Sequence, residues 1–271
     1  MPNNSKLKTG SKQPCPLLVN LPIIERLRSY RYSDNRGKRW LHAFLSKSWL
    51  VARCTVDARL RSEIITGRLY ARERHQRSSY TEPDRYPELF AACALYFSTR
   101  PEVRILSFGC STGEEVVALR SYLPQAQIIG VDINRWCLRR CRRRITDPNT
   151  LFLHRFSRRF ADCARFDAIF CMAVFQNPDN RNAADNRLAT RYRFERFASE
   201  IALLDAKLKP GGLLVIDHCD FSFADTACST RYTPLNFEAN VARHERPLYS
   251  RDNRKVTEAQ ELLRIFVKLR D

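Results

Sequence analysis

Acidic residues and glycine are the two things this chain has little of. There are 29 Asp and Glu against 47 Lys and Arg, a formal net charge of +18, and only eight glycines in 271 residues. No apolar run approaches the length of a membrane span. Met1 to Pro16 is polar and proline-bearing, without the apolar stretch of a secretory signal. Together these point to a cytoplasmic chain with no transmembrane segment. The ten cysteines include no Cys-x-x-Cys pair and follow no regular spacing, so buried thiols in a reducing compartment are expected rather than a disulfide framework. Cys137 and Cys141 would share a helix face, but no matching pair or histidine motif follows, so no metal site is expected. No internal repeat is present. Nor is there an RRM, KH, helix-turn-helix or zinc-finger signature. With 44% hydrophobic residues the chain can still bury a full core.

Five of the eight glycines (Gly109, Gly113, Gly130, Gly211 and Gly212) cluster in the middle of the chain. The stretch Ile-Leu-Ser-Phe-Gly-Cys-Ser-Thr-Gly-Glu-Glu, Ile105 to Glu115, reads as strand, loop and helix. Gly109 and Gly113 bracket Cys110, Ser111 and Thr112 where the backbone must pass close to something, as in a nucleotide-type cofactor loop. Glu114 and Glu115 then open the helix. A pyrophosphate at that helix end would be repelled by two carboxylates. A cation such as the ammonium or sulfonium of S-adenosylmethionine would be attracted, although acids in a first turn also simply complement the helix dipole.

Gln127 to Asp132 reads as a second buried strand, placing Asp132 nineteen residues after Gly113, where a doubly wound sheet carries the acid that takes ribose hydroxyls. Asp132 could instead cap the helix that starts at Asn134. Thr150 to His154 and Phe166 to Met172 read as the third and fourth strands, and Lys209 to Asp217 as a turn feeding the fifth. Phe194, Phe197, Ile201, Leu204 and Leu208 outline an amphipathic helix that stops at Pro210-Gly211-Gly212. Leu262 to Leu269 reads as a last strand, part of a terminal hairpin.

This ordered series resembles the class I S-adenosylmethionine-dependent methyltransferases. Within them, Gly-Cys-Ser-Thr-Gly-Glu-Glu is most similar to the cofactor domain of the CheR-type receptor glutamate methyltransferases, a resemblance covering roughly residues 78 to 218. Ser79 to Arg85 sits where that family has a Thr-x-Phe-Phe-Arg segment over the cofactor. The family's Arg-Asn pair after the fourth strand is Met172-Ala173 here. The resemblance implies S-adenosyl-L-methionine as cofactor and an α/β fold: a Rossmann-like, doubly wound, mostly parallel seven-stranded sheet with an N-terminal helical cap. It also implies contacts from the loop 109–113, from Glu114 or Glu115 to the methionyl amine, and from Asp132 and Ile133 at the ribose. Met172, Ala173 and Val174 would lie along the adenosyl moiety, and Asp162 would hold the adenine amine.

The domains expected are a flexible basic tail (1–20), a helical cap (21–77) and a methyltransferase domain (78–271). Trp40, Leu41, Phe44, Leu45, Trp49 and Leu50 recur at helical spacing in the cap, which predicts a packed lid. Residues 1–100 carry nineteen Lys and Arg against eight Asp and Glu, and six of the ten residues from Arg135 to Arg144 are arginine. That excess suits an anionic partner (RNA, an acidic protein, a phosphorylated glycan or a membrane surface) or equally a solvated arginine face.

Methyl transfer is an in-line displacement that needs alignment and often a base. His218 and Asp217, just past the fifth strand, stand where an acceptor could sit. An ionised carboxylate acceptor would need no base. The acceptor classes rank as small molecule or glycan, then protein side chain, then RNA. An NAD(P)-dependent oxidoreductase would normally carry a third glycine where the two acids stand. The remaining alternative is an inactive cofactor-fold module that binds RNA or an acidic partner through its basic surface.

Overall fold

The computed structural model describes residues 22–76, 81–100, 102–177, 192–237, 241–243, 248–256 and 261–271. The tail at 1–20, Ser79 and Tyr80, the polar stretch 178–186 and His244 lie outside the described residues. The chain divides into two compact units, 1–61 and 62–271, with the boundary inside a helix.

The first unit holds α1 (Pro22–Ser29), a 3-10 turn (Tyr30–Tyr32), α2 (Arg36–Val56) and the start of α3 (Ala58–Leu69). α2 starts where it does because Asn35, in an extended conformation, accepts hydrogen bonds from the Gly37 and Lys38 amides. The sequence predicted that the apolar positions of α2 would be packed. They are not: α2 has no buried residue, and its aromatic side chains are exposed.

The second unit is built on a seven-stranded sheet. In chain order it has α4 (Pro87–Tyr96), β1 (Arg104–Phe108), α5 (Glu114–Tyr122), β2 (Gln127–Asp132), α6 (Arg135–Arg144), β3 (Thr150–His154), α7 (Arg158–Ala161), β4 (Phe166–Met172), α8 (Phe194–Lys207), β5 (Leu208–Asp217), β6 (Tyr232–Pro234), β7 (Val241–Arg243), β8 (Glu261–Leu263) and β9 (Ile265–Lys268). The sheet runs β3-β2-β1-β4-β5-β9-β6, and β7 pairs with β8 in a separate ribbon. Strands β1 to β5 pair in parallel, while β9 is antiparallel to both β5 and β6. The run from Leu262 to Leu269 therefore divides at Arg264, whose guanidinium is held by Glu88 and Asp217.

The central strands are buried on both faces, as parallel strands covered by helices must be. Alternate residues serve opposite cores. Ile105, Ile128, Phe170 and Val215 pack with α4, α5 and α6, whereas Leu106, Ile129, Ile169 and Leu214 pack with α7 and α8. The strand order reverses beside β1, so β1 and β4 diverge at their carboxyl ends into a crevice of the kind that binds ligands in open α/β sheets.

Candidate active site

A cavity of about 320 Å³ opens at those carboxyl ends, lined from β1 by Phe108, Gly109, Cys110 and Ser111, and from β2 by Asp132 and Ile133. β4 contributes Met172, Ala173 and Val174. Gly109 is in the left-handed region with φ +78°, and a Cβ there would meet Val174 Cγ2 at 2.6 Å, so only glycine lets the two strand ends approach this closely. Ser111 and Ala173 also hold positive φ without being glycine. Such backbone costs of order 1–3 kcal/mol per residue, and it concentrates where the cavity wall is shaped.

Asp132 braces this wall. Its two carboxylate oxygens accept from the Ser111 amide at 2.9 Å and the Asn134 amide at 2.7 Å, tying the glycine loop to the end of β2. Burial pushes its carboxyl up, and those amides oppose the shift.

The two acids at the start of α5 part company. Glu115 lines the cavity and accepts from the Ser107 hydroxyl at 2.6 Å, while burial pushes its carboxyl up to about 8. Glu114 does not line the cavity: Thr112 donates to it at 2.6 Å and Arg144 pairs with it at 2.6 Å. Burial works against ionisation there, but those two partners hold Glu114 below the usual carboxylate range. Thr112 and Gly113 likewise belong to the back of the loop.

Three further predicted residues are not brought to the cavity. Asp162 is the exposed C-cap of α7, beside Arg158 four residues earlier, because the helix ends before its carboxylate could turn toward the sheet. Asp217 is buried against Arg264 and His218. His218 does not line the cavity, but its Nδ1 lies 3.2 Å from the hydroxyl of Tyr86, which does. Of the segment Ser79 to Arg85, Thr81, Glu82, Asp84 and Arg85 line the cavity.

The lining also includes residues the sequence did not announce, His75, Arg155, Arg196 and Glu200. His75 is 9% exposed, its ring edge-on to Phe175 and Tyr192. Its Nε2 is 3.8 Å from Glu200 Oε2, and Arg155 grips the other Glu200 oxygen at 2.7 and 3.0 Å. Burial lowers the His75 pKa below 6.5, with Glu200 opposing, so the imidazole is neutral at pH 7. Among the described residues His75 Nδ1, Arg196 Nη2 and the Tyr192 hydroxyl are buried without a hydrogen-bond partner. One signal was available. Glu200 falls inside the apolar stripe of α8, between Phe197 and Ile201, where a carboxylate has to be accounted for.

Residues 105–191 match a family described as a methyltransferase domain. A tRNA (guanine-N(7)-)-methyltransferase of Chloroflexus aggregans is 32% identical over 150 residues, which span 52% of this chain and 62% of that relative's length. Among solved structures, the precorrin-6y C5,15-methyltransferase of Geobacter metallireducens is 12% identical over 72% of this chain and 94% of that one, with a TM-score of 0.40. An rRNA-methylase of Clostridium thermocellum, so described in its structure, is 13% identical over 70% and 100%, with a TM-score of 0.39.

The methyltransferase domain's own residues fit an adenosyl cofactor. The close passage of Gly109 past Val174 leaves a cradle that a Cβ would fill. The half-buried Asp132 carboxylate stands at the end of β2, and the Glu115 carboxyl at the cavity wall could ionise beside a cation. No helix among the described residues is long and apolar enough to cross a membrane, and no cluster of His, Cys, Asp or Glu among them could hold a metal ion.

Proposed function

We propose that this chain transfers a methyl group from S-adenosylmethionine to an acceptor bound beside His75 in the cavity. The observation that carries the reading is one cavity whose wall brings together two differently built groups of residues. One is the glycine loop with Asp132 and Glu115, the other the Arg155–Glu200–His75 relay. When bound, the cofactor supplies an electrophilic methyl group on a sulfonium. In this reading Asp132 takes the ribose hydroxyls, Glu115 ionises against the methionyl ammonium, and Met172, Ala173 and Val174 lie along the adenosyl moiety. Gly109, Cys110 and Ser111 form the floor, with Ile133 at its edge.

His75 serves as the base. Glu200, whose carboxylate lies 3.8 Å from Nε2, favours the proton on that nitrogen, which leaves Nδ1 to take a proton from the acceptor. That arrangement suits an acceptor with a proton to lose, a hydroxyl or an amine, over a carboxylate. It therefore separates this chain from the glutamate chemistry of the CheR-type enzymes, despite the shared Gly-Cys-Ser-Thr-Gly-Glu-Glu loop. The small cavity favours a small-molecule or glycan acceptor. RNA is the second reading, favoured by the name of the curated relative and the net charge of +18. His218 and Asp217 act, if at all, by fixing Tyr86.

Calorimetry with S-adenosylhomocysteine and NADH tests the cofactor. Micromolar binding of the first alone, lost in Asp132→Ala, is the expected result. No binding to the wild-type chain overturns the reading and leaves the inactive module. A labelled methyl donor with metabolite, glycan and RNA pools then separates the acceptor classes.

A further inference from the structure

The methyl-transfer reading makes no use of α2. This helix runs 21 residues and contains Arg36, Lys38, Arg39, Lys47 and Arg53, with no Asp or Glu. At about 100° per residue, Trp40, Phe44, Leu41, Leu45, Val56 and Trp49 fall within roughly half its circumference. Arg36, Lys47, Arg39 and Arg53 occupy the other half together with Leu50, while Lys38 falls on the apolar half beside Val56 and Trp49. The apolar half is solvent-exposed: Trp40 is 68%, Phe44 53% and Trp49 64% exposed, and Trp40 stacks on Phe44 with centroids 5.5 Å apart. Leaving such a stripe in water forgoes roughly 1.5–3 kcal/mol for each large side chain that could be buried.

We propose that α2 is a docking surface for an anionic lipid bilayer, lying in the plane of the headgroups with Trp40, Phe44 and Leu45 inserted. Charge complementarity and composition both select this occupant. A basic amphipathic helix with Trp, Phe and Leu on one face and Lys and Arg on the other binds at an anionic lipid interface. RNA would use the cations and could stack on Trp40, Phe44 and Trp49, but Leu41, Leu45, Val51 and Val56 on the same half gain nothing from a nucleic acid, whereas acyl chains bury aromatic and aliphatic side chains alike. A second copy of the helix would bring five cations against five with no acid between them. α2 is not apolar enough to span, so it lies on the surface. The whole of residues 1–61 carries thirteen Lys and Arg against three Asp and Glu, so the field around the helix has one sign.

The test uses the full chain with two vesicle preparations, phosphatidylcholine alone and phosphatidylcholine mixed with phosphatidylglycerol. Sedimentation and tryptophan emission are the readouts, since two of the three tryptophans are on α2. Co-sedimentation with the anionic vesicles only, with a blue-shifted emission, is expected. Phe44→Glu with Leu45→Glu should weaken it at least about tenfold. Lys47→Glu, on the polar half where no packing is disturbed, should weaken it about fivefold. Arg139→Ser with Arg143→Ser, on the exposed face of α6, should leave it unchanged. The proposal falls if anionic vesicles are not bound, or if the apolar variant still binds. It falls equally if the α6 variant is the one that loses binding. It also falls if the helix proves to bind RNA, or a second copy of the chain, without binding vesicles. None of these outcomes depends on whether the chain transfers methyl groups.

Discussion

The two groups of residues in the cavity wall are built on opposite principles. Around the glycine loop, both Asp132 oxygens are committed to backbone amides, and a strained backbone at Gly109, Ser111 and Ala173 sets the wall. Around His75 the backbone is ordinary, and side chains from three distant elements converge, some with buried polar atoms that no described residue satisfies. The first group is fixed by main chain, so changes there should damage binding and structure together. The second is fixed by side-chain contacts, so changes there should separate turnover from binding.

Asp132→Ala is the most severe way to break that contrast. It removes two charge-assisted hydrogen bonds, and affinity for S-adenosylhomocysteine should fall at least about 100-fold by calorimetry. Retention of wild-type affinity would mean that the brace is not what organises the loop. His75→Gln should lower turnover roughly 10²- to 10⁴-fold while leaving that affinity within about twofold. Its pH profile is the sharper test. The wild-type rate should rise through the lowered His75 pKa and be flat at neutrality, and the variant should lose that acid limb. Glu200, Arg155, Arg196 and Tyr192 all face this imidazole, so Glu200→Gln should shift the limb further down.

Glu115→Gln has a smaller effect on affinity and a distinctive one on heat. A carboxyl held neutral to about pH 8 must release its proton to ionise beside a bound cation. The enthalpy of S-adenosylmethionine binding at pH 7 should therefore depend on the buffer's ionisation heat in the wild type and not in the variant. Because the folded pKa is raised, the stability this group contributes is complete below its unfolded value of 4.5 and is lost as pH rises through about 8. Melting temperature should show that slope in the wild type and less of it in the variant. Smallest of all, Asp162→Ala should change neither affinity nor turnover, since that side chain is an exposed helix cap.

The same contrast explains what could be read from the sequence. β2 to β4 were legible residue for residue, because apolar alternation and turn glycines are local properties; β5 starts at Leu208 and takes in Pro210, Gly211 and Gly212, which the sequence read as a turn. The glycine loop and Asp132 were legible because one strand-loop-helix unit and the next strand carry them at fixed spacing. His75, Arg155 and Glu200 were not, since they meet only when the connector after α3, the end of β3 and α8 come together, and no motif spans them. The exposure of α2 was hidden for a related reason. Helical spacing reports which residues share a face, and it says nothing about what that face meets.

The unpartnered Tyr192 hydroxyl has a meaning for the folding free energy as well as for the site. A buried hydroxyl with no partner is a standing destabilisation, roughly 1–3 kcal/mol that phenylalanine would not incur. Tyr192→Phe should accordingly raise the melting temperature. A chain selected for robustness alone would have drifted to phenylalanine there, by a single substitution. Tyrosine there, packed against His75 and Phe221, gives up part of the stability margin that phenylalanine would keep.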